Sequence, residues 1–298
     1  MVIEMEFAAR TIRLRANEKL TAILGNRMCF AGLTIITLIA LMGLLAPLIA
    51  DDPYKTDLAN RLTPPSPDHP FGTDQLGRDL FSRVVYGARV SLLVAITISL
   101  ISMTLGCLIG AVSGYIGGYL DDIIGRIIDV FLSIPELIFN IALVGILCVS
   151  FGASTWNVIL AIVITNWVSY ARITRGMVLS LKEREFVVST RAMGASDFWI
   201  LFKHIIPNAV GPIIVLATLN VGNIIMTIAS LGFLGLGIQP PTPEWGQILN
   251  SGKNYITTAP WIATFPGLAI MLAVLGFNLL GDGLRDVFEP KSRRMSYG

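Results

Sequence analysis

Five long stretches without a charged residue constrain this 298-residue chain more than any other feature of its sequence. They cover more than half of the chain and comprise residues 28–50, 90–120, 137–171, 205–243 and 254–281. A helix rises about 1.5 Å per residue, so about 20 apolar residues cross the roughly 30 Å hydrocarbon core of a bilayer. The stretches lack the alternation that is typical of membrane β-strands. With only 14% charged residues, the chain is predicted to be an all-α polytopic membrane protein rather than a soluble one.

The charge-free stretches predict six transmembrane helices. Residues 137–171 are too many for one crossing, so a turn at 151–157 is expected to divide them. A short amphipathic helix that leads into the second span is predicted by Leu80, Val84, Val85 and Val90. No small-residue cleavage site ends the first apolar run, which is therefore expected to be retained as a span. The expected spans are residues 28–50, 90–113, 123–149, 158–178, 208–234 and 261–281.

Lysine and arginine residues in the loops predict the orientation, because they are enriched on the cytoplasmic side. With six spans, 16 of the 22 lysines and arginines lie on the same side as both termini. Both termini are therefore expected to be cytoplasmic. The predicted organisation has four parts: a cytoplasmic N-terminal segment at 1–27, a first span with its extracytoplasmic loop at 28–87, a core of five helices at 88–284, and a cytoplasmic tail at 285–298.

The sequence lacks the motifs of an enzyme or a metal protein. Its cysteines, Cys29, Cys107 and Cys148, lie in apolar runs and are expected to act as small apolar side chains. No cluster of metal ligands is found, so no metal site is expected. The fragment most similar to a phosphate-binding loop, residues 251–254, lacks the preceding glycine and the hydroxyl residue. We therefore expect no cofactor in this chain and no ATP hydrolysis by it.

The basic segment 172–204 predicts a helix, a sharp turn and a second helix. Gly194 permits the turn, Ser196 or Asp197 can cap the second helix, and Pro207 fits the first turn of the fifth span. Four apolar positions can form one face of the first helix: Phe186, Val187, Ala192 and Met193. Such an element can dock into a groove on a cytoplasmic partner or lie on anionic lipid. The residues alone leave both interpretations open.

This segment resembles the signature loop of ABC-importer permeases. The family pattern is Glu-Ala-Ala, three residues, a glycine, and a spacer that ends in a Leu-Pro-like pair. Gly194 and the pair Ile206–Pro207 match it, whereas Val188, Ser189 and Thr190 occupy the Glu-Ala-Ala positions. The resemblance implies that this loop is a cytoplasmic coupling helix between spans four and five. The residues expected to couple to the ATPase are Arg191, Ala192, Gly194, Ala195, Ser196 and Pro207.

Four more segments, in the family's order, resemble the oligopeptide, dipeptide and nickel branch of these permeases, in particular the second permease subunit with its extra N-terminal span. They are residues 71–83, 126–137, 231–246 and 277–291. Within this branch, residues 166–187 resemble the nickel or metallophore importers slightly more than the peptide importers.

The resemblance implies import of di- and oligopeptides, or of nickel and metal-chelate complexes, across a bacterial inner membrane. The expected partners are a homologous second permease subunit, two cytoplasmic ATPase subunits that bind ATP and Mg, an extracytoplasmic substrate-binding protein and membrane lipid. No nucleic acid is expected among them.

Polar residues inside the spans are the candidates for the translocation path. Arg126, Asp129, Ser133 and Glu136 are spaced by three, four and three, which predicts one face of the third span. They can line the path, or they can hold the span to its neighbours, with Arg126 and Asp129 as an ion pair. Span asparagines more often form interhelical hydrogen bonds than bind substrate. The path candidates are Asp129, Ser133, Glu136, Asn166 and Asn223.

A proton-coupled secondary transporter that uses Asp129 and Glu136 is the alternative function. It would need acidic residues that converge from several spans and, in most such proteins, internal repeats. The sequence shows neither, so the ATP-driven importer is preferred. Small residues at 106, 110 and 114 predict a close helix–helix contact rather than a functional site.

Overall fold

The structure is a computed structural model, and it describes residues 21–288. Within that range the regular structure is helical, apart from one isolated bridge between Thr73 and Asp79. The helices are α1 (Arg27–Leu44), α2 (Leu80–Ile116), α3 (Gly118–Ser133), α4 (Glu136–Phe151), α5 (Thr155–Lys182), α6 (Glu185–Ala192), α7 (Asp197–Ile200), α8 (Ile206–Phe233), α9 (Trp245–Gly252) and α10 (Trp261–Phe288).

Five helices are long and apolar enough to cross a membrane: α1, α2, α5, α7 continued into α8, and α10. The pair α3 and α4 passes the same test but is bent by 93°, so the pair can count as a sixth crossing. These helices agree with the predicted all-α polytopic fold. We call the end of the bundle that carries α6 and α7 the elbow end. The opposite end, which carries residues 51–79, is the loop end.

The predicted third span is not one straight helix. Ile134 has an extended backbone (φ −96°, ψ 129°), and α4 begins directly after Pro135. Proline has no N–H to donate and disfavours a helical conformation in the residue before it, so the helix breaks here. The prediction of one continuous face is therefore wrong: Glu136 lies on α4, whereas Arg126, Asp129 and Ser133 lie on α3.

The second span is longer than predicted. The expected short amphipathic helix and the span form a single helix, α2, which runs for 37 residues, or about 55 Å. The predicted boundary at 87/88 therefore falls inside a continuous helix. Asp79 accepts a hydrogen bond from the Ser82 backbone N–H and caps its first turn. The charge-free stretch 137–171 is divided as expected, although the turn is only residues 152–154.

The most extensive helix packing is between α2 and α5. A Cβ atom added to Gly106 or Gly110 would collide with the backbone carbonyl oxygens of Trp167 and Ala171. Glycine at both positions lets the two backbones approach closely, which is how small residues join membrane helices. The packing role predicted for these glycines is confirmed.

Buried polar groups also join the spans. Asn220 Nδ2 of α8 donates to Asn166 Oδ1 of α5 at 2.6 Å. Between α2 and α5, Ser99 Oγ lies 3.1 Å from Tyr170 Oη. Cys29, buried in α1, packs against α10, where Gly283 leaves room for it. These contacts fix the relative positions of the helices that carry the candidate sites.

Gly110→Ala is expected to destabilise the chain by about 1–3 kcal/mol, because the new methyl group meets the Ala171 backbone, which cannot rotate away. Gly145→Ala is the matched control, since the space around Gly145 in α4 is open. Thermal unfolding of the detergent-solubilised protein measures both effects. Equal stability of the two variants would contradict the close contact between α2 and α5.

Candidate functional site

The segment from α6 to the start of α8 forms a bent element that we call the elbow (residues 185–205). Gly194 lies between its two helices with φ +85°, a conformation that side-chain-bearing residues rarely adopt. Its backbone N–H donates to the Arg191 carbonyl oxygen at 3.0 Å and ends α6. Ser196 Oγ accepts from the Trp199 N–H and caps α7. The helix, glycine turn and second helix that the sequence predicts are all present.

The second arm of the elbow continues into a membrane span. Residues Leu201–Ile205 form a π-helical stretch that joins α7 to α8. Ile200 and Ile205 are buried, and with Val178 of α5 and Val187 of α6 they form a small apolar core. A π-helical stretch inside a longer helix frequently accompanies a functional site. Movement of the elbow must therefore displace α8 directly.

The outer face of the elbow is apolar and exposed. Met193 is 79% exposed and Phe198 is 73% exposed, on either side of Gly194. Phe198 also packs against the Phe202 ring, with 4.5 Å between ring centroids. Of the four apolar positions predicted to share one face, Phe186, Ala192 and Met193 are exposed, as a docking face requires, whereas Val187 is buried and points away from that face. An exposed aromatic surface of this kind fits a partner groove.

The other predicted loop residues surround the same turn. Ala192 is the last residue of α6 and is exposed, whereas Ala195 packs partly against the small apolar core. Pro207 is exposed and lies in the first turn of α8, where its missing N–H costs no hydrogen bond. Arg191 extends from α6 towards α2. The structure therefore brings the predicted set together at one elbow.

Tyr115, near the end of α2, joins the two arms of the elbow. Its hydroxyl donates to Asp197 Oδ1 at 2.6 Å and accepts from Arg191 Nη2 at 3.3 Å. The Arg191 guanidinium also lies 5.7 Å from the centre of the Tyr115 ring. No sequence pattern indicates this junction, because a tyrosine at the end of an apolar run is common at any membrane interface.

A charged cleft of about 370 Å³ lies between α3 and α5 at the elbow end. The predicted ion pair between Arg126 and Asp129 is not formed. Arg175 is paired instead, with its Nη2 2.7 Å from Asp121 Oδ2. Both Arg126 and Asp129 line the cleft from α3 and are exposed.

The predicted path residues do not form one group. Ser133 and Glu136 are exposed on either side of the bend, and Asn223 is exposed on α8. Asn166 is buried in its hydrogen bond to Asn220 and therefore serves helix packing. None of the five predicted residues lines the open apolar groove of about 760 Å³ between α8 and α10, whereas Leu137 and Asn278 do.

At the loop end, buried polar side chains fasten α9 to α2. Arg83 of α2 is completely buried; its Nη2 donates to Gln247 Oε1 at 3.0 Å, and its Nε lies 3.6 Å from Asp74 Oδ2. Trp245 Nε1 donates to the Val84 carbonyl oxygen at 2.9 Å. The segment containing Trp245 is thus held firmly against α2.

Glu244 caps α9 in the same buried cluster. Its carboxylate accepts from the backbone N–H groups of Gly246 and Gln247 at 2.8 and 2.9 Å, and from Ser91 Oγ at 3.3 Å. Burial raises the pKa of this carboxyl above its usual value, although the three hydrogen bonds oppose the shift. Glu244 and Gly246 lie in a segment used for the family resemblance, whereas Ser91 and Gln247 do not, and no sequence pattern indicates that these residues meet.

Comparison with known proteins agrees with this architecture. Residues 106–294 match the family model described as the inner membrane component of binding-protein-dependent transport systems. Residues 21–65 match the N-terminal transmembrane domain of oligopeptide transport permease C. The elbow, α2 from Gly106 onwards and α9 lie within the first match, whereas the cluster residues Asp74, Arg83, Val84 and Ser91 precede it.

Three curated relatives cover most of the chain. The dipeptide transport system permease protein of Alkalihalophilus pseudofirmus is 45% identical over 269 residues, covering 90% of this chain and 87% of that protein. The oligopeptide transport system permease protein of Bacillus subtilis is 42% identical, with the same two shares. A glutathione transport system permease protein of Escherichia coli is 46% identical over 247 residues, covering 83% and 80%.

The fold is also similar to a chain of the methionine ABC transporter in an inward-facing conformation. The TM-score is 0.52 at 22% identity, and the match covers 68% of this chain and 95% of that chain. The family match and the apolar helices make this protein a multi-pass inner membrane protein and a transport subunit rather than an enzyme. The chain belongs to the family of inner membrane components of binding-protein-dependent transport systems, in the branch of oligopeptide and dipeptide permeases, as the second permease subunit.

Proposed function

We propose that this chain is one permease subunit of an ATP-driven importer of short peptides, and that separate ATPase subunits drive it through the elbow. The observation that carries the proposal is the exposed aromatic surface around Gly194, on a turn that joins directly to a membrane span. ATP and Mg would be bound by the ATPase subunits, since this chain has no phosphate-binding loop.

The distribution of basic residues supports a cytoplasmic elbow end. Most lysines and arginines of the chain lie in segments on that side, which the positive-inside rule assigns to the cytoplasm. Both termini would then be cytoplasmic as well. The loop end, with α9 and residues 51–79, would face the extracytoplasmic space and receive the substrate-binding protein. Two ATPase subunits would bind on the opposite side, one of them at this elbow.

The surface of α3 and α4 supports a second permease subunit as a partner. Apolar side chains cover most of it and are exposed in the single chain, among them Val130, Ile138 and Ile146 at 60–63%. Asp129, Ser133 and Glu136 lie on the same exposed element. A homologous subunit that packs here would enclose these polar residues between two chains, where ionisable groups in membranes are usually found. Lipid would cover the remaining apolar surface.

The names of the relatives support short peptides as the cargo. The three relatives described above are named for the transport of dipeptides, oligopeptides and glutathione, all of which contain peptide bonds. None of those three names refers to nickel or to a metallophore. Short peptides are therefore the cargo class that we propose.

A rocking motion of the two permease subunits would provide alternating access. Closure of the ATPase subunits would displace the elbow, and the displacement would pass into α8 through the π-helical stretch and its buried core. The family match does not favour the proton-coupled alternative. The positions of Asp129 and Glu136 do not support it either, since both are exposed on either side of a bend.

A photo-crosslinking residue at Phe198 is expected to capture an ATPase subunit in the assembled, active transporter, because this side chain is 73% exposed at the elbow. Trp156 is the matched control position: it is also an exposed aromatic residue, but it lies in the first turn of α5 at the loop end. Mass spectrometry identifies the captured chains. Capture of the ATPase from Trp156, or its absence from Phe198, would contradict the proposal.

Gly194→Trp is expected to reduce peptide import and weaken the binding of the ATPase subunits. The added ring would occupy the docking surface, and a side chain is strained at φ +85° by about 1–2 kcal/mol. The matched control is Gly152→Trp, which has a similar φ of +78° and equally open surroundings, at the loop end. Uptake into vesicles and co-purification measure both effects. Normal import with Gly194→Trp would count against the elbow as the docking site.

A further inference from the structure

At the elbow end, the last residues of α2 form hydrogen bonds to α3, to α5 and to both arms of the elbow. Tyr115 bonds to both arms of the elbow, as described above. One residue earlier, the Gly114 carbonyl oxygen accepts from Lys182 Nζ of α5 at 3.0 Å. Ser113 Oγ donates to Asp121 Oδ1 of α3 at 2.7 Å. Three consecutive residues of α2 therefore contact the elbow, α5 and α3.

Of these three residues, only Tyr115 forms hydrogen bonds to the elbow. The hydrogen bond from its hydroxyl to Asp197 Oδ1 is short, at 2.6 Å, and lies where solvent can reach it. Asp197 begins α7 and Arg191 lies in the last turn of α6, on opposite sides of Gly194. Because one hydroxyl contacts both arms, a change in the angle at Gly194 must strain or break at least one of these bonds.

The other end of α2 forms hydrogen bonds to α9 and its N-cap, at the loop end of the bundle. In its first three turns, Arg83 bonds to Gln247, the Val84 carbonyl accepts from Trp245, and Ser91 bonds to Glu244. All three contacts are buried and reach α9 or its N-cap. The helix is continuous over its whole length of about 55 Å, with neither a proline nor a break.

We propose that Tyr115 is a positioning residue that couples the elbow to α2, and that α2 carries the displacement to α9 at the extracytoplasmic surface. The inference rests on the proposed function, because the elbow is taken as the site where the ATPase acts. It adds a second route to the direct one through α8. The Tyr115 hydroxyl would transmit the motion, whereas the aromatic surface around Gly194 would bind the ATPase.

The test measures peptide imported per ATP hydrolysed, with the complete transporter in proteoliposomes and a mixture of labelled di- and tripeptides. Tyr115→Phe removes the hydroxyl and keeps the ring that faces Arg191. The ratio is expected to fall about fivefold or more, while the ATPase subunits co-purify as in the wild type. Tyr119→Phe is the control: Tyr119 is 89% exposed and lies outside the junction, so the ratio is expected to stay unchanged.

Two further variants distinguish transmission from general damage to the elbow. Asp197→Asn keeps a side-chain oxygen that can accept from Tyr115, and it is expected to retain a ratio close to that of the wild type. Asp197→Ala removes the acceptor and is expected to match Tyr115→Phe. The double variant, Tyr115→Phe with Asp197→Ala, should lower the ratio no further than either single change, because both changes remove the same bond. A merely structural role would not produce this pattern of rescue and non-additivity.

Two results would overturn the inference. A wild-type ratio in both Tyr115→Phe and Asp197→Ala would show that the bond transmits nothing. If crosslinking at Phe198 captures the ATPase in the same vesicles, the proposed function survives that result and only the role of Tyr115 is lost. If no ATPase is captured there, the elbow is not the docking site and both proposals fail.

Discussion

The close contact between α2 and α5 is the constraint on which the rest of the structure depends. Lipid gives no hydrophobic drive for one apolar helix to bind another, so association relies on tight packing and on polar bonds between spans. Gly106 and Gly110 supply the packing, and the bond between Ser99 and Tyr170 adds a polar contact in the same interface. Helices packed so closely move together, so a displacement at one end of α2 reaches its other end.

Both ends of α2 carry contacts with charged side chains, which its middle lacks. At the elbow end the bonds of Tyr115 are partly exposed, so they can open and reform at modest cost. At the loop end the contacts of Arg83 and Glu244 are fully buried, and breaking them would leave charged groups without partners. The contacts of α2 with the elbow can thus rearrange, whereas its contacts with α9 stay intact.

Much of this architecture could be predicted from the sequence, because long charge-free stretches and a glycine turn are local patterns. The helical turn at Gly194 and the packing role of Gly110 followed from such patterns. The bend before Glu136 was missed because the apolar composition continues through Pro135. The bond between Tyr115 and Asp197 joins residues 82 positions apart, and no local pattern predicts which distant side chains meet.

The central claim is that work done at the elbow reaches the opposite surface of the membrane through α2. An environment-sensitive fluorophore at Ile256, an exposed residue beside α9, measures this directly in the assembled transporter. The account predicts that ATP changes its emission in the wild type, and that Tyr115→Phe abolishes the change although the ATPase remains bound. An undiminished change of emission in Tyr115→Phe would contradict the account.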